Sequence, residues 1–141
     1  MPSKPKVLIV DDEERFRATM CKRLRVRGLQ AATAGSGREA LEELRRDRYD
    51  VVILDLRMPG MGGVDALIEM KQADPSIEVI VLTGYASVET AGEITRLGGY
   101  DFLLKPCDVD DLVEKIEAAH DRKLARARLM GESSSSCPRE G

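Results

Sequence analysis

A chain of 141 residues is long enough for one domain with a real core and too short for two comfortable ones. Apolar residues make up 43% and charged residues 33%, the balance of an ordinary soluble globular domain, and a net charge of -3 gives no electrostatic reason to expect nucleic-acid binding. No apolar stretch approaches the ~20 residues of a membrane span, and the opening Met1-Pro2-Ser3-Lys4-Pro5-Lys6 leads into a strand pattern without a signal-peptide core.

The first strand pattern, Val7-Leu8-Ile9-Val10, ends in Asp11-Asp12-Glu13. Phe16, Met20, Cys21 and Leu24 then fall on one face of a helix reaching about Arg27, with Gly28 as its stop. Residues 30–34 are a weak second strand. Ser36 followed three residues later by Glu39 is a capping-box signature opening a helix through Ala40, Leu41 and Leu44. Val51-Val52-Ile53-Leu54 is apolar without alternation, as expected of a strand covered on both faces, and it ends in Asp55.

Arg57-Met58-Pro59-Gly60-Met61-Gly62-Gly63 is rich enough in Gly and Pro to predict a loop. A helix with Val64, Leu67, Ile68 and Met70 inward follows and closes at Asp74-Pro75. The fourth strand, 77–82, ends in Thr83. After Gly84-Tyr85-Ala86-Ser87 comes a helix with Val88, Ala91 and Leu97 as inner positions, ended by Gly98-Gly99. Strand 101–104 runs into Lys105-Pro106. Asp108 is placed to cap a last helix whose Val109, Leu112, Val113, Ile116 and Ala119 share one face.

Beyond Ala119 the apolar face thins. Arg122, Lys123, Arg126 and Arg128 read as a solvated face favoured by the helix dipole, and His120, the only histidine, reads as a surface residue. The expected domain covers residues 1–130 with a core of about 6–120, and the serine-rich 131–141 reads as a disordered tail. Cys21, Cys107 and Cys137 fit neither a disulfide framework nor a metal set, which implies a reduced, cytoplasmic setting.

Strand patterns separated by helices imply a parallel sheet, in which groups just past the strand ends share one crevice. Asp11, Asp12, Glu13, Asp55, Thr83 and Lys105 would gather there. A carboxylate is a competent nucleophile toward phosphorus, and Asp55 needs no base to be ionised at neutral pH. Its difficulty is repulsion between Asp11, Asp12 and an incoming phosphoryl group. Mg²⁺ suits such a site, and Lys105 adds a compact positive charge beside the Thr83 hydroxyl. Phosphoryl transfer asks for positioning and charge neutralisation more than for covalent help. Each residue alone is uninformative; their joint occurrence at successive strand ends is a strong signal.

The segments Val10-Asp11-Asp12-Glu13, Leu54-Asp55-Leu56-Arg57-Met58-Pro59-Gly60, Leu82-Thr83-Gly84-Tyr85 and Leu104-Lys105-Pro106 together resemble the signature set of two-component response-regulator receiver domains. The likeness runs from Lys6 to roughly Ala119. It implies a doubly wound, flavodoxin-like α/β fold with five parallel strands in the order 2-1-3-4-5 and five helices. It also implies that Asp55 is the phosphoacceptor, taking its group from a sensor histidine kinase or histidine phosphotransfer protein. By the same resemblance, Asp12 binds Mg²⁺ directly and Asp11 through water, with Asp55 and the backbone carbonyl of Arg57 as further ligands. Thr83 and Lys105 would contact the phosphoryl oxygens, and Lys105-Pro106 would be a cis peptide.

Phe102 falls on the family's switch aromatic and Tyr100 lies two places off that register. Phosphorylation would draw Thr83 and the 84–87 loop toward the new oxygens and admit the Phe102 ring, changing the face made by helix 88–97, strand five and helix 109–119. Arg57 and Tyr85 flank the phosphoryl position, where family members tune attack by water. The output is docking onto an unknown protein partner or passing the phosphoryl group on, with homodimer formation among the outcomes the resemblance allows. Neither a nucleic acid nor a membrane is expected as partner of this chain, and no enzymatic turnover beyond its own phosphorylation and slow dephosphorylation. Ser87-Val88-Glu89-Thr90-Ala91 and Leu103-Leu104-Lys105-Pro106-Cys107-Asp108 look most like receivers paired with nitrogen-regulation-type activators.

Three other readings compete. A Mg²⁺-dependent phosphohydrolase of haloacid-dehalogenase type would use Asp11 as nucleophile, but it wants an aspartate where Glu13 stands and leaves Asp55 idle. A flavin-binding module would need a Ser/Thr/Gly phosphate cradle where Asp11-Asp12-Glu13 stand. The third keeps the fold as a docking scaffold that works without phosphorylation, against which the intact acidic site argues.

Overall fold

In the computed structural model, residues 4–56, 63–84 and 88–136 are described, with 88–90 and 130–136 as backbone alone. Five strands and five helices alternate along the chain: β1 (Lys6–Val10), α1 (Glu14–Val26), β2 (Gln30–Ala34), α2 (Gly37–Arg46), β3 (Val51–Asp55), α3 (Gly63–Ala73), β4 (Glu78–Thr83), α4 (Val88–Arg96), β5 (Asp101–Leu104) and α5 (Val109–Ser136). The strands form one parallel sheet in the order β2-β1-β3-β4-β5. This is the doubly wound α/β fold expected from the sequence, and the weak second strand is present.

Alternate residues along the strands feed two cores. Leu8, Val10, Val52, Leu54, Val79 and Val81 pack with residues of α2, α3 and α4 on one face. Val7, Ile9, Val51, Ile53, Ile80 and Leu82 pack with Met20, Cys21 and Leu24 of α1 and Leu112, Ile116 and Ala119 of α5 on the other. Two-sided burial is why β3 reads as an unbroken apolar run. Ser36 Oγ accepts the Glu39 amide at 3.1 Å, while the Glu39 carboxylate accepts the Gly35 amide at 2.7 Å, so the capping box closes one residue further out than its usual form. Gly28 ends α1 with φ +88°, a conformation that a Cβ would strain.

Several expectations need correction. The buried stripe of α3 is Gly63, Ala66, Leu67 and Met70, whereas Val64 and Ile68 are only half-buried. Small residues face inward because α3 starts against the end of β3: a Cβ on Gly63 would lie 2.6 Å from the Leu56 backbone. In α4 the buried residue is Ile94; Ala91 and Leu97 are half-buried, and the Val88 side chain lies outside the described residues.

The basic stretch of α5 is an anchor and not a merely solvated face. Arg122 donates two hydrogen bonds, at 2.5 and 2.8 Å, to the fully buried carboxylate of Glu78 and lies 4.6 Å over the Tyr100 ring. Lys123 pairs with Asp50 at 2.8 Å, and Arg126 lies 3.7 Å from Glu78. His120 is buried, at 8% exposure, because this anchoring draws its turn of helix onto the sheet. The helix also continues to Ser136, past the start of the expected tail, since adding a residue to a formed helix costs far less than nucleating one. Residues 137–141 lie outside the described residues, as do Arg57, the 58–62 loop, and Tyr85, Ala86 and Ser87.

Candidate functional site

The parallel winding brings the ends of β1, β3, β4 and β5 to one edge of the sheet. There β1 and β3 are neighbours whose chains leave toward opposite faces, which opens a crevice beyond the strands. Asp11 follows β1, Asp55 is the last residue of β3, Thr83 is the last of β4, and Lys105 follows β5. Asp11, Asp55 and Thr83 are buried, Asp12 is exposed, and Lys105 is half-buried. The Lys105–Pro106 peptide is cis.

Asp11, Asp12 and Asp55 each offer a carboxylate oxygen, and these oxygens lie within 4.8 Å of one another. Three anionic groups so close repel one another unless a cation intervenes. The Lys105 ammonium supplies part of that charge: it donates to Asp11 Oδ2 at 2.7 Å and lies 3.5 Å from Glu13 Oε1 and 3.6 Å from Asp55 Oδ2. Burial pulls the Lys105 pKa down. The Asp11 hydrogen bond and the charges of Asp11, Asp55 and Glu13 outweigh it and hold the ammonium above its ordinary value. The other Asp11 oxygen, Oδ1, accepts the Glu13 amide at 2.9 Å.

A hard divalent cation fits this donor set. All of the donors are oxygens, two of the carboxylates are buried, and the exposed Asp12 leaves room for the waters that Mg²⁺ retains. The fourth expected ligand, the Arg57 carbonyl, lies outside the described residues, as does Tyr85. Phe102 is half-buried on the α2-α3-α4 side, in register with Val81 and two residues from Leu104, which pairs with Thr83.

Two residues of this site were not singled out by sequence reasoning. Phe16, read only as part of an apolar helix face, lies with its ring centroid 4.5 Å from the Lys105 ammonium. Arg17 donates to the Asp11 carbonyl at 3.0 Å and steadies the turn between β1 and α1. The available signal was their position within the first turn of the helix that begins at the acidic cluster.

Comparison with known proteins agrees with this architecture. The family model described as the response regulator receiver domain matches residues 7–117. The transcriptional regulatory protein ZraR of Escherichia coli is 42% identical over 113 residues, covering 80% of this chain and 26% of ZraR. The chain thus spans about a quarter of the length of such curated relatives. A CheY-like receiver domain from Methanospirillum hungatei superposes with a TM-score of 0.82 at 27% identity, covering 88% of this chain and 99% of that one. NtrX from Brucella abortus superposes with a TM-score of 0.86 at 28% identity, covering 93% of this chain and 30% of NtrX. With the matched segment running from the second residue of β1 past the end of β5 and so containing the crevice at the strand ends, the chain belongs to the response-regulator receiver family of two-component signalling, whose members accept phosphoryl groups from partner kinases.

Proposed function

We propose that Asp55 is the phosphoacceptor and that Asp11, Asp12, Asp55 and the Arg57 carbonyl hold Mg²⁺. The observation that carries this reading is the convergence of three carboxylates within 4.8 Å, with the Lys105 ammonium 3.6 Å from Asp55. An oxygen of Asp55 attacks the phosphorus of a phosphohistidine on a sensor kinase or phosphotransfer protein. The oxygen–phosphorus bond forms as the phosphorus–nitrogen bond breaks, and the imidazole leaves. When bound, Mg²⁺ offsets the charge of the carboxylates and of the phosphoryl oxygens. Lys105 turns its ammonium to one of those oxygens, and the Thr83 hydroxyl donates to another. Thr83 and Phe102 then act together as the switch.

The chain acts in this reading as a signalling domain in the cytoplasm, with no turnover beyond its own phosphorylation and slow dephosphorylation, and its switched face docks a protein partner. No helix among the described residues is long and apolar enough to cross a membrane. The test is incubation with acetyl phosphate and Mg²⁺, followed by intact mass. One hydroxylamine-labile phosphoryl adduct on the wild type and none on Asp55→Asn is expected. A stable adduct, or labelling that survives the substitution, overturns the assignment.

A further inference from the structure

We infer that Phe16 is a positioning residue for phosphoryl uptake, its ring forming one wall of a cradle that keeps the Lys105 ammonium within reach of Asp55. The inference rests on the reading of Asp55 as phosphoacceptor and adds a residue that acts through Lys105.

The cradle follows from the distances around one nitrogen. The Lys105 ammonium has Asp11 at 2.7 Å, Glu13 at 3.5 Å, Asp55 at 3.6 Å and the Phe16 ring centroid at 4.5 Å. A cation over an aromatic face at that range is attracted by the ring quadrupole. Phe16 is itself fixed, because its ring packs on the core shared by α1 and α5. Glu13 is the loose member, with a side chain 69% exposed. Without the ring, Asp11 alone opposes the pull of Glu13, and the ammonium spends more of its time turned toward solvent and away from Asp55. With it, the ammonium rests between Asp11 and Asp55 and needs only a short turn to meet a phosphoryl oxygen. Pre-placing the charge in this way raises the rate of transfer rather than the affinity for the metal.

The expected effect is roughly a two- to tenfold loss, which lies within the range a single cation–π contact spans when expressed as a rate ratio. Phe16→Leu keeps an apolar, though smaller, side chain and removes the quadrupole, and Phe16→Tyr keeps the face. Phosphoryl uptake from acetyl phosphate should slow two- to tenfold in Phe16→Leu and recover in Phe16→Tyr. The urea midpoint of Phe16→Leu should fall by no more than the loss of that one contact, and both variants should bind Mg²⁺ at least as tightly as the wild type.

A second readout needs neither metal nor phosphodonor. The Lys105 side-chain protons should show an upfield ring-current shift by NMR in the wild type and Phe16→Tyr, and lose it in Phe16→Leu. Wild-type uptake by Phe16→Leu, or Lys105 resonances unchanged by that substitution, overturns the inference while leaving the role of Asp55 intact. A wild type that takes up no phosphoryl group at all overturns both.

Discussion

Lys105 lies 0.9 Å closer to Asp11 than to Asp55, the difference between 2.7 and 3.6 Å, so the resting site keeps this cation on Asp11 and not on the carboxylate proposed as phosphoacceptor. Removing that cation should matter most when negative charge arrives. Lys105→Met is expected to cut phosphoryl uptake by about 10²-fold, the cost typical of losing one group that stabilises developing charge, as measured by intact mass over time. A second residue-scale prediction concerns Tyr49, whose hydroxyl donates to Glu43 at 2.6 Å. Burial first, then this hydrogen bond, pushes the Tyr49 phenol well above its ordinary value. A group raised in the folded state contributes stability that is complete below its unfolded pKa. Here that contribution drains away as pH rises past about 10, where the unfolded tyrosine ionises. Urea midpoints should therefore fall further between pH 8 and pH 11 in the wild type than in Tyr49→Phe.

At this scale the sequence announced Asp11, Asp12, Asp55, Thr83 and Lys105, because each stands just past an apolar run and a strand end is a local pattern. The placement of Phe16 beside Lys105 and of Glu78 against Arg122 was not legible. An aromatic on an apolar helix face looks like core, and an acid at the start of a strand looks exposed. Their partners, Lys105 and Arg122, lie far along the chain, and no local spacing connects them.

Among the elements, α5 is held by the pairing of Arg122 with buried Glu78. Arg122→Met leaves a carboxylate buried without its bidentate partner. Breaking a buried pair costs about 3–5 kcal/mol, discounted here to roughly 2–3 kcal/mol because the Arg122 side chain is a third exposed and Arg126 stands near. Adding Glu78→Gln to Arg122→Met should restore much of that loss in urea titration. The start of α3 is equally constrained. Gly63→Ala forces a methyl to 2.6 Å from the Leu56 backbone. It should destabilise by about 1–3 kcal/mol and slow phosphoryl uptake, because the displaced backbone carries Asp55. The hydrophobic pattern found Leu67 and Met70 on the inner face of α3 but missed the rest for the same reason: close packing selected Gly63 and Ala66, which carry little hydrophobic signal, over the more conspicuous Val64 and Ile68.

For the whole molecule, fold class and strand order were legible because the β-α alternation leaves few ways to wind a parallel sheet. The extent of α5 was not, since a run of serines has no strong preference that opposes an established helix. The clustering of Asp11, Asp12 and Asp55 also has a global effect, because repulsion among them opposes folding until a cation binds. Mg²⁺ at about a hundred times its dissociation constant should stabilise the protein by about 2.7 kcal/mol, read as a rise in thermal midpoint. Asp12→Ala should lose most of that rise, and an equal response in that variant would count against the carboxylates as ligands.

The anchoring of α5 carries a mechanical consequence. Beyond the anchored turn from Arg122 to Arg126, the helix runs on to Ser136 for about 15 Å at 1.5 Å per residue. It overhangs the α2–β3 and α3–β4 connections across a groove of about 1250 Å³. Pivoting about that turn, a tilt of only ~10° sweeps the tip through roughly 2–3 Å, given that length. The pivot grips Glu78 and Tyr100, the residues that open β4 and lead into β5. Small rotations where the helix meets the sheet thus become displacements the size of a side chain at its far tip.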